Sequence, residues 1–219
     1  MAGSLDPGST ASAPAKRSRK AKRTLTPDNL LRTIGRVVAS GPVLVSAMIR
    51  PKTSAALREK VLLGVTSIND CRYCEWGHTH WALANGVPLE EVNQILGDQV
   101  GELAAKNPAE AAAILFAQHY AEHRDRIDPE SIDNLRRHYS EAQVGEILAY
   151  VRAITLGTLT GNTADAFLDR FRGHGRVGSG GQTSVWFEGA VTAVAAPVLL
   201  VLAVLAKLDR RAGARHATS

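Results

Sequence analysis

The sequence predicts an all-α protein, and three observations support this fold class. Apolar residues recur at helical spacing: Leu57, Val61 and Val65, for example, fall at i, i+4 and i+8 and therefore share one helix face. Residues that start helices, such as Thr26 followed by Pro27, stand directly before such segments. No stretch keeps the apolar and polar alternation of a half-buried strand. We therefore expect seven or eight helices in one domain, residues 24–173.

The first 23 residues form an arm of different composition. They are rich in Ala, Ser, Pro and Gly, lack periodic apolar positions, and are predicted to be disordered. Their six basic residues against Asp6 account for the whole net charge of +5. A basic run without interleaved aromatic residues does not indicate a specific nucleic-acid partner. No apolar segment follows the charges as in a secretory signal, and the two cysteines do not form a disulfide framework, so a cytoplasmic domain is expected.

The helices of the domain are delimited by capping residues and by turns. The first begins near Thr26, a second apolar segment follows "SGP", and "PKTSAALREKVLLGVTS" opens the next helix. Asn69 or Asp70 is the expected cap of the helix that carries both cysteines, which Gly86 ends. Helices are then predicted in "VPLEEVNQILG", in "NPAEAAAILFAQHYAEH" and in "DPESIDNLRRHY". Ser140 caps a further helix, and a last one, "TADAFLDRFRG", closes the domain.

A second apolar unit follows the domain. Residues 174–184 are rich in Gly and Ser and are predicted to be a flexible linker. Residues 185–208 form a predicted helix that has no charge from Gly189 to Ala206, and residues 209–219 are a basic tail. Eighteen uncharged residues reach the lower length limit for a membrane span. The segment is therefore interpreted either as a membrane anchor or as a helix at a protein interface.

The stretch "NDCRYCEWGHTH" holds both cysteines. If Asn69 or Asp70 caps the helix, Cys71 and Cys74 lie in its first turn, where the helix dipole and unpaired N–H groups favour thiolate. Cys71, Cys74 and His78 are spaced i, i+3 and i+7, so they form one strip along the helix. A histidine in this strip can exchange a proton with a thiol.

The cysteines allow three other interpretations. A thioredoxin-like site requires a preceding strand, which the sequence does not predict. A zinc site would use His80 as a fourth ligand, but His78 and His80 point about 200° apart on a helix. The cysteines could also be small buried apolar residues without chemistry. We therefore predict a redox pair, with no metal ligands and no cofactor.

Glu59, eleven further residues and then Cys71-x-x-Cys74-x-x-x-His78 resemble a family signature. The pattern is similar to E-x11-C-x-x-C-x-x-x-H of the alkylhydroperoxidase D-like proteins, within the carboxymuconolactone decarboxylase superfamily. Gly86 with "VPLEEV", the Ala-rich helix and "GNTADAFLDRF" also look like that domain. The decarboxylase members generally lack the cysteine pair, so the resemblance implies an oxidoreductase.

The resemblance implies a helical, homo-oligomeric, thiol-dependent hydroperoxide reductase or disulfide reductase. Cys74 would be the peroxidatic thiol, Cys71 the resolving thiol, and Glu59 with His78 the proton relay. The implied partners are a peroxide substrate and a dithiol or lipoyl-type reductant.

Two positions depart from the family pattern. Arg72 and Tyr73 lie between the cysteines, where the relatives commonly have a second histidine. The alternative hypothesis is therefore a redox-responsive, membrane-associated binding or scaffold protein, whose disulfide switches an interaction without catalytic turnover.

Overall fold

The computed structural model describes residues 22–97, 99–171 and 183–216. These residues form ten α-helices, which confirms the all-α prediction and the helix at the C-terminal end. The helices are α1 (Pro27–Ala39), α2 (Gly41–Ile49), α3 (Ala55–Asn69), α4 (Arg72–Ala84), α5 (Leu89–Leu96), α6 (Val100–Lys106), α7 (Pro108–Glu122), α8 (Pro129–Arg136), α9 (Glu141–Phe171) and α10 (Val185–His216). Most of the predicted arm and of the predicted linker lies outside the described residues.

The core lies between α3, α7 and α9. Its largest cluster is apolar and includes Val61, Phe116, Ile147 and Val151, each at most 1% exposed. A second cluster packs α5 and α6 against the other side of α3 and α7. Since α3 is buried along most of its length, it forms the central support for the cysteine helix that follows it.

The end of the domain is one helix rather than two. The predicted break before "TADAFLDRFRG" is wrong, because α9 runs without interruption from Glu141 to Phe171. The polar residues at the expected break are buried among protein donors and acceptors: Thr163 Oγ1 donates to the carbonyl of Leu159, and Asn162 Nδ2 donates to the carbonyl of Asn69. These hydrogen bonds replace those that water would make to the same side chains in an exposed turn. Among the described residues, nine helices precede α10, whereas seven or eight were expected; α6 is a short helix that the sequence did not predict.

The junction between α3 and α4 differs from the predicted cap. Asp70 ends α3 in the left-handed conformation (φ 53°), and Cys71 is the N-cap of α4. The prediction that Asn69 or Asp70 caps the cysteine helix is therefore wrong by one or two residues. Asn69 instead donates from Nδ2 to Thr158 Oγ1 at 2.9 Å. This bond ties the junction to α9.

Two residues assigned to the basic arm contact the domain. Arg23 donates to the carbonyl of Ala121 at 2.7 Å and pairs with the buried Asp125 at 3.3 Å. Lys22 lies 3.7 Å from Asp165. The described part of the arm thus crosses the end of α7 and reaches α9.

The C-terminal helix packs against the domain. α10 lies along α9 and also touches α4. Near its start, the buried Glu188 accepts hydrogen bonds from Arg170 Nε at 2.6 Å and from Thr183 Oγ1 at 2.7 Å. Although residues 174–184 are predicted to be a flexible linker, the helix after them is docked on the domain. The docking gives the helix one protein-facing side.

Glu146 of α9 holds the loop between α2 and α3. Its carboxylate accepts hydrogen bonds from the N–H groups of Lys52 and Thr53, and from the hydroxyl groups of Thr53 and Tyr150. Burial alone would raise the pKa of Glu146, but these bonds to Thr53, Tyr150 and Lys52 outweigh it and lower that pKa. Because the folded-state pKa is lowered, this contribution to stability is present above the ordinary pKa and is lost as pH falls through the lowered value.

We expect Glu146→Ala to lower the free energy of unfolding at pH 7 by about 2–4 kcal/mol, because it leaves buried donors without an acceptor. Urea denaturation measures this loss, which should shrink as the pH is taken below the ordinary carboxyl pKa. Glu141→Ala is the matched control, since Glu141 belongs to the same helix and its side chain is 75% exposed. Equal effects of the two substitutions would contradict the role of Glu146.

Candidate functional site

The two cysteines lie together at the start of α4. Their sulfur atoms are 2.8 Å apart, and both thiols are free. Cys71 is fully buried, whereas Cys74 is partly exposed and packs against the edge of the main core cluster. Of the pair, Cys74 is therefore the sulfur that a molecule from solvent can approach.

A glycine in α9 makes room for the buried thiol. A Cβ atom at Gly161 would lie only 2.8 Å from Cys71 Sγ and 3.5 Å from the ring of Tyr73. Any side chain at this position would displace the thiol or separate α9 from α4. Gly161 thus sets the distance between the two helices at the site.

The two thiols share a proton unequally. The pKa of Cys71 is lowered because its sulfur accepts a hydrogen bond from the Cys74 thiol, and the backbone N–H groups of Cys74 and Tyr73 act in the same direction. The pKa of Cys74 is raised by the same bond and by burial. Negative charge is therefore favoured on Cys71, although access favours Cys74. A reaction at the more accessible Cys74 would therefore require that this thiol first lose its proton.

Glu59 and His78 supply a group that can take this proton. His78 Nδ1 lies 2.8 Å from Glu59 Oε2, and Arg58 Nε donates to Glu59 Oε1 at 2.9 Å. Burial would raise the pKa of Glu59, but the hydrogen bonds and charges of His78 and Arg58 outweigh it and lower that pKa. Ionised Glu59 can accept a hydrogen bond from the Nδ1–H group of His78. In that tautomer of the ring, Nε2 carries no proton and can accept one. His78 follows Cys74 by one turn on the same strip of α4.

The residues between the cysteines are tied to α9. Arg72 donates to the buried Asp165 at 2.5 Å and to the Tyr73 hydroxyl at 2.9 Å. Its guanidinium also lies 4.9 Å from the centre of the Tyr73 ring. The charge of Arg72 is thus engaged by Asp165. Arg72 and Tyr73 brace the first turn of α4 rather than forming a second branch of a proton relay.

The remaining residues of the cysteine stretch have separate contacts. His80 Nδ1 bonds the carbonyl of Trp76, and their rings lie 4.4 Å apart. Trp81 is half exposed and meets the His78 ring edge-on, with ring centres 5.1 Å apart. Within residues 22–97, 99–171 and 183–216, no group of three or more His, Cys, Asp or Glu side chains could hold a metal ion.

The four residues predicted to be reactive are neighbours in the structure, and other residues that the sequence did not indicate support them. Glu59, Cys71, Cys74 and His78 do lie in adjoining parts of α3 and α4. Gly161 and Asp165 were overlooked because they follow the cysteines by some 90 positions, and no local spacing connects them. The stretch "GNTADAF" was noticed only as part of the family resemblance.

A comparison with known families gives one match. Residues 44–119 match the family model of the Carboxymuconolactone decarboxylase family, which confirms the predicted resemblance at the level of that superfamily. The matched segment contains all of α3 and α4, and so Glu59, Cys71, Cys74 and His78, the four residues predicted to be reactive. No curated protein and no solved structure matches this chain.

We expect Gly161→Ala to lower the free energy of unfolding by about 1–3 kcal/mol, because the new methyl group collides with Cys71. It should also slow formation of the Cys71–Cys74 disulfide, as measured by thiol titration during oxidation. Gly157→Ala is the control one turn earlier, where the nearest atom to a new Cβ is 3.9 Å away. That substitution should be neutral or stabilise by about 0.5–1 kcal/mol. A harmless Gly161→Ala would contradict the close packing of the site.

Proposed function

From the match of residues 44–119 to the carboxymuconolactone decarboxylase family, we propose that this protein is a thiol-dependent hydroperoxide reductase. The observation that carries the proposal is the pair of free sulfurs 2.8 Å apart, one of them partly exposed, at the start of the helix that carries a histidine bonded to a buried carboxylate. Paired thiols can be oxidised to a disulfide and reduced again, and an oriented histidine can move the protons.

The first half of the proposed cycle oxidises the pair. His78 takes the proton of Cys74, and the Cys74 thiolate attacks the terminal oxygen of the hydroperoxide, ROOH. The O–O bond breaks, Cys74 becomes a sulfenic acid, and the departing alkoxide receives the proton from His78 as the alcohol ROH.

The second half closes and reopens the disulfide. Cys71 attacks the sulfur of the Cys74 sulfenic acid, water leaves, and the disulfide forms. The short distance between the sulfurs supports this step. An external dithiol then reduces the disulfide through a mixed disulfide, and itself becomes oxidised. We propose a dithiol of the lipoyl type for this role, a homo-oligomeric assembly, and a cytoplasmic domain held at a membrane through α10.

A redox-responsive binding protein is the second candidate function. The observation that favours it is the engagement of Arg72 by Asp165, which leaves Glu59 and His78 as the proposed relay without a branch between the cysteines. Such a protein would form and lose its disulfide without turning over peroxide. Steady-state consumption of peroxide in the presence of a dithiol separates the two functions.

We expect Cys74→Ser to abolish dithiol-dependent peroxide consumption, since it removes the exposed nucleophile. Cys71→Ser should stop the cycle after the first half and leave a sulfenic acid, which dimedone labelling with mass spectrometry detects on Cys74. Circular dichroism of both variants controls for folding. Unchanged turnover in both variants would overturn the proposal, and labelling of Cys71 in Cys74→Ser would reverse the two roles.

Glu59→Gln tests the proton relay. Because Glu59 is ionised well below neutral pH, its loss should lower kcat/KM at pH 7 by about tenfold or more. In the wild type, the lowered pKa keeps Glu59 ionised down to pH values below the ordinary carboxyl pKa. The lower kcat/KM of the variant should therefore be seen throughout the neutral range. Glu75→Gln is the control, as an exposed carboxylate on α4. Equal kcat/KM profiles of Glu59→Gln and wild type from pH 6 to pH 8 would exclude the relay.

A further inference from the structure

The helix α10 is apolar on both of its sides. One side packs against the domain and includes the partly buried residues Val191, Leu199 and Leu202. The other side faces outward and carries Val194, Val198 and Val201, which are 84%, 64% and 58% exposed. The window Val185–Leu202 has a mean hydropathy of 2.0, and only 6% of it is buried. A helix that is apolar all round requires an apolar environment on each side.

The docked position restricts what α10 can do at a membrane. The ion pair of Arg170 with Glu188 holds its beginning, Gly189 fits against the ring of Phe167, and Leu202 reaches α4 at Gly77. While docked in this way, α10 could not cross a bilayer without taking the charged residues of α9 into the hydrocarbon, at a large cost in free energy. A helix lying in the plane of the membrane, with one face on the domain, avoids that cost.

Lipid fits the outward face better than a second protein surface does. From Gly189 to Ala206 the helix offers no charged side chain that could orient a protein partner. Trp186, which is 87% exposed, stands near one end, and Lys207 begins a basic segment at the other. Tryptophan and basic residues at the borders of an apolar helix are typical of the membrane interface. Four further basic residues of the first 23, Lys16, Arg17, Arg19 and Lys20, would add attraction to anionic lipid.

The inner side of α10 leads to the reactive residues. Above Gly77, the side chains of Trp81 and Leu202 lie 3.8 and 3.9 Å from the position of a Cβ atom. Gly77 directly precedes His78, and Trp81 is in edge-on contact with the His78 ring. The side chains of Leu202 and Trp81, which meet over Gly77, therefore place α10 close to the proposed proton relay.

We propose that α10 lies flat in the membrane interface and that the site reduces hydroperoxides of lipid acyl chains, which approach along the seam between α10 and α4. This inference rests on the proposed function, because the same Cys74, Cys71, Glu59 and His78 perform the reduction. A hydroperoxide group is polar and is poorly accommodated in hydrocarbon, so an oxidised chain presents it near the interface. The hydroperoxide group on the acyl chain is reduced to a hydroxyl group, one water is released, and the two thiols become a disulfide until a dithiol reduces it.

The test uses the full-length protein with one charge added on the outward face. Val198→Lys and Val201→Lys are compared with Leu89→Lys, which adds the same charge at a position of similar exposure, 55%, at the start of α5. Each protein is assayed with dithiothreitol on two substrates. One is phosphatidylcholine hydroperoxide in vesicles that contain phosphatidylserine, and the other is tert-butyl hydroperoxide in solution. Flotation with the same vesicles measures binding.

We expect Val198→Lys and Val201→Lys to lose vesicle binding and phospholipid hydroperoxide turnover at least tenfold while keeping turnover of tert-butyl hydroperoxide. Leu89→Lys should resemble wild type in all three measurements. Since added lysine increases attraction to anionic vesicles, a loss of binding must come from the apolar face.

Three outcomes would overturn the inference. If wild type turns over tert-butyl hydroperoxide but neither floats with vesicles nor reduces the lipid substrate, the inference fails and the proposed function stands. If the α10 variants instead change the molar mass measured by light scattering, with no vesicle binding by wild type, a second copy of the chain covers this face. If neither substrate is reduced by wild type, the proposed function fails, and the lipid substrate fails with it.

Discussion

The close contact between the α3–α4 junction and α9 is the constraint on which the site depends. Asn69 bonds to Thr158 and receives a bond from Asn162, while Gly161 admits the Cys71 thiol between the helices. Thr158, Gly161 and Asn162 come from one stretch of α9, which is a single uninterrupted helix. Since α9 continues through the stretch where a break was predicted, its side chains can hold the junction from one rigid side. The position of both sulfurs follows from this packing.

The charged groups of the site form two separate clusters. Arg72 and Asp165 neutralise each other beside the cysteines, whereas Arg58 and His78 both bind Glu59. The first cluster braces the start of α4, and the second orients the His78 ring. Under the proposed function, a site with arginine and tyrosine between its cysteines therefore keeps a single proton path. Charge and access favour different sulfurs, since the buried Cys71 faces the backbone N–H groups and the partly exposed Cys74 holds the proton.

The C-terminal helix links the reactive residues to the outside of the molecule. Its docking through Glu188 and Leu202 places uncharged side chains beside α4. The helix α10 is therefore part of the surroundings of His78. The family match ends before this helix, at residue 119. The apolar outward face is thus a property that this chain adds to the matched region.

The sequence by itself determined the helical class, the apolar C-terminal helix and the strip of Cys71, Cys74 and His78, because helical periodicity and capping chemistry act within a few residues. The family signature added Glu59 across the turn between two helices. The tertiary structure alone decided that Cys71 is itself the cap, that Gly161 and Asp165 support the pair, and that α10 docks on the domain. These features depend on side chains some 90 or more positions apart, or on how two helices pack, and no local spacing encodes such contacts. The left-handed conformation of Asp70, which moved the predicted cap, likewise follows from how α9 holds the junction.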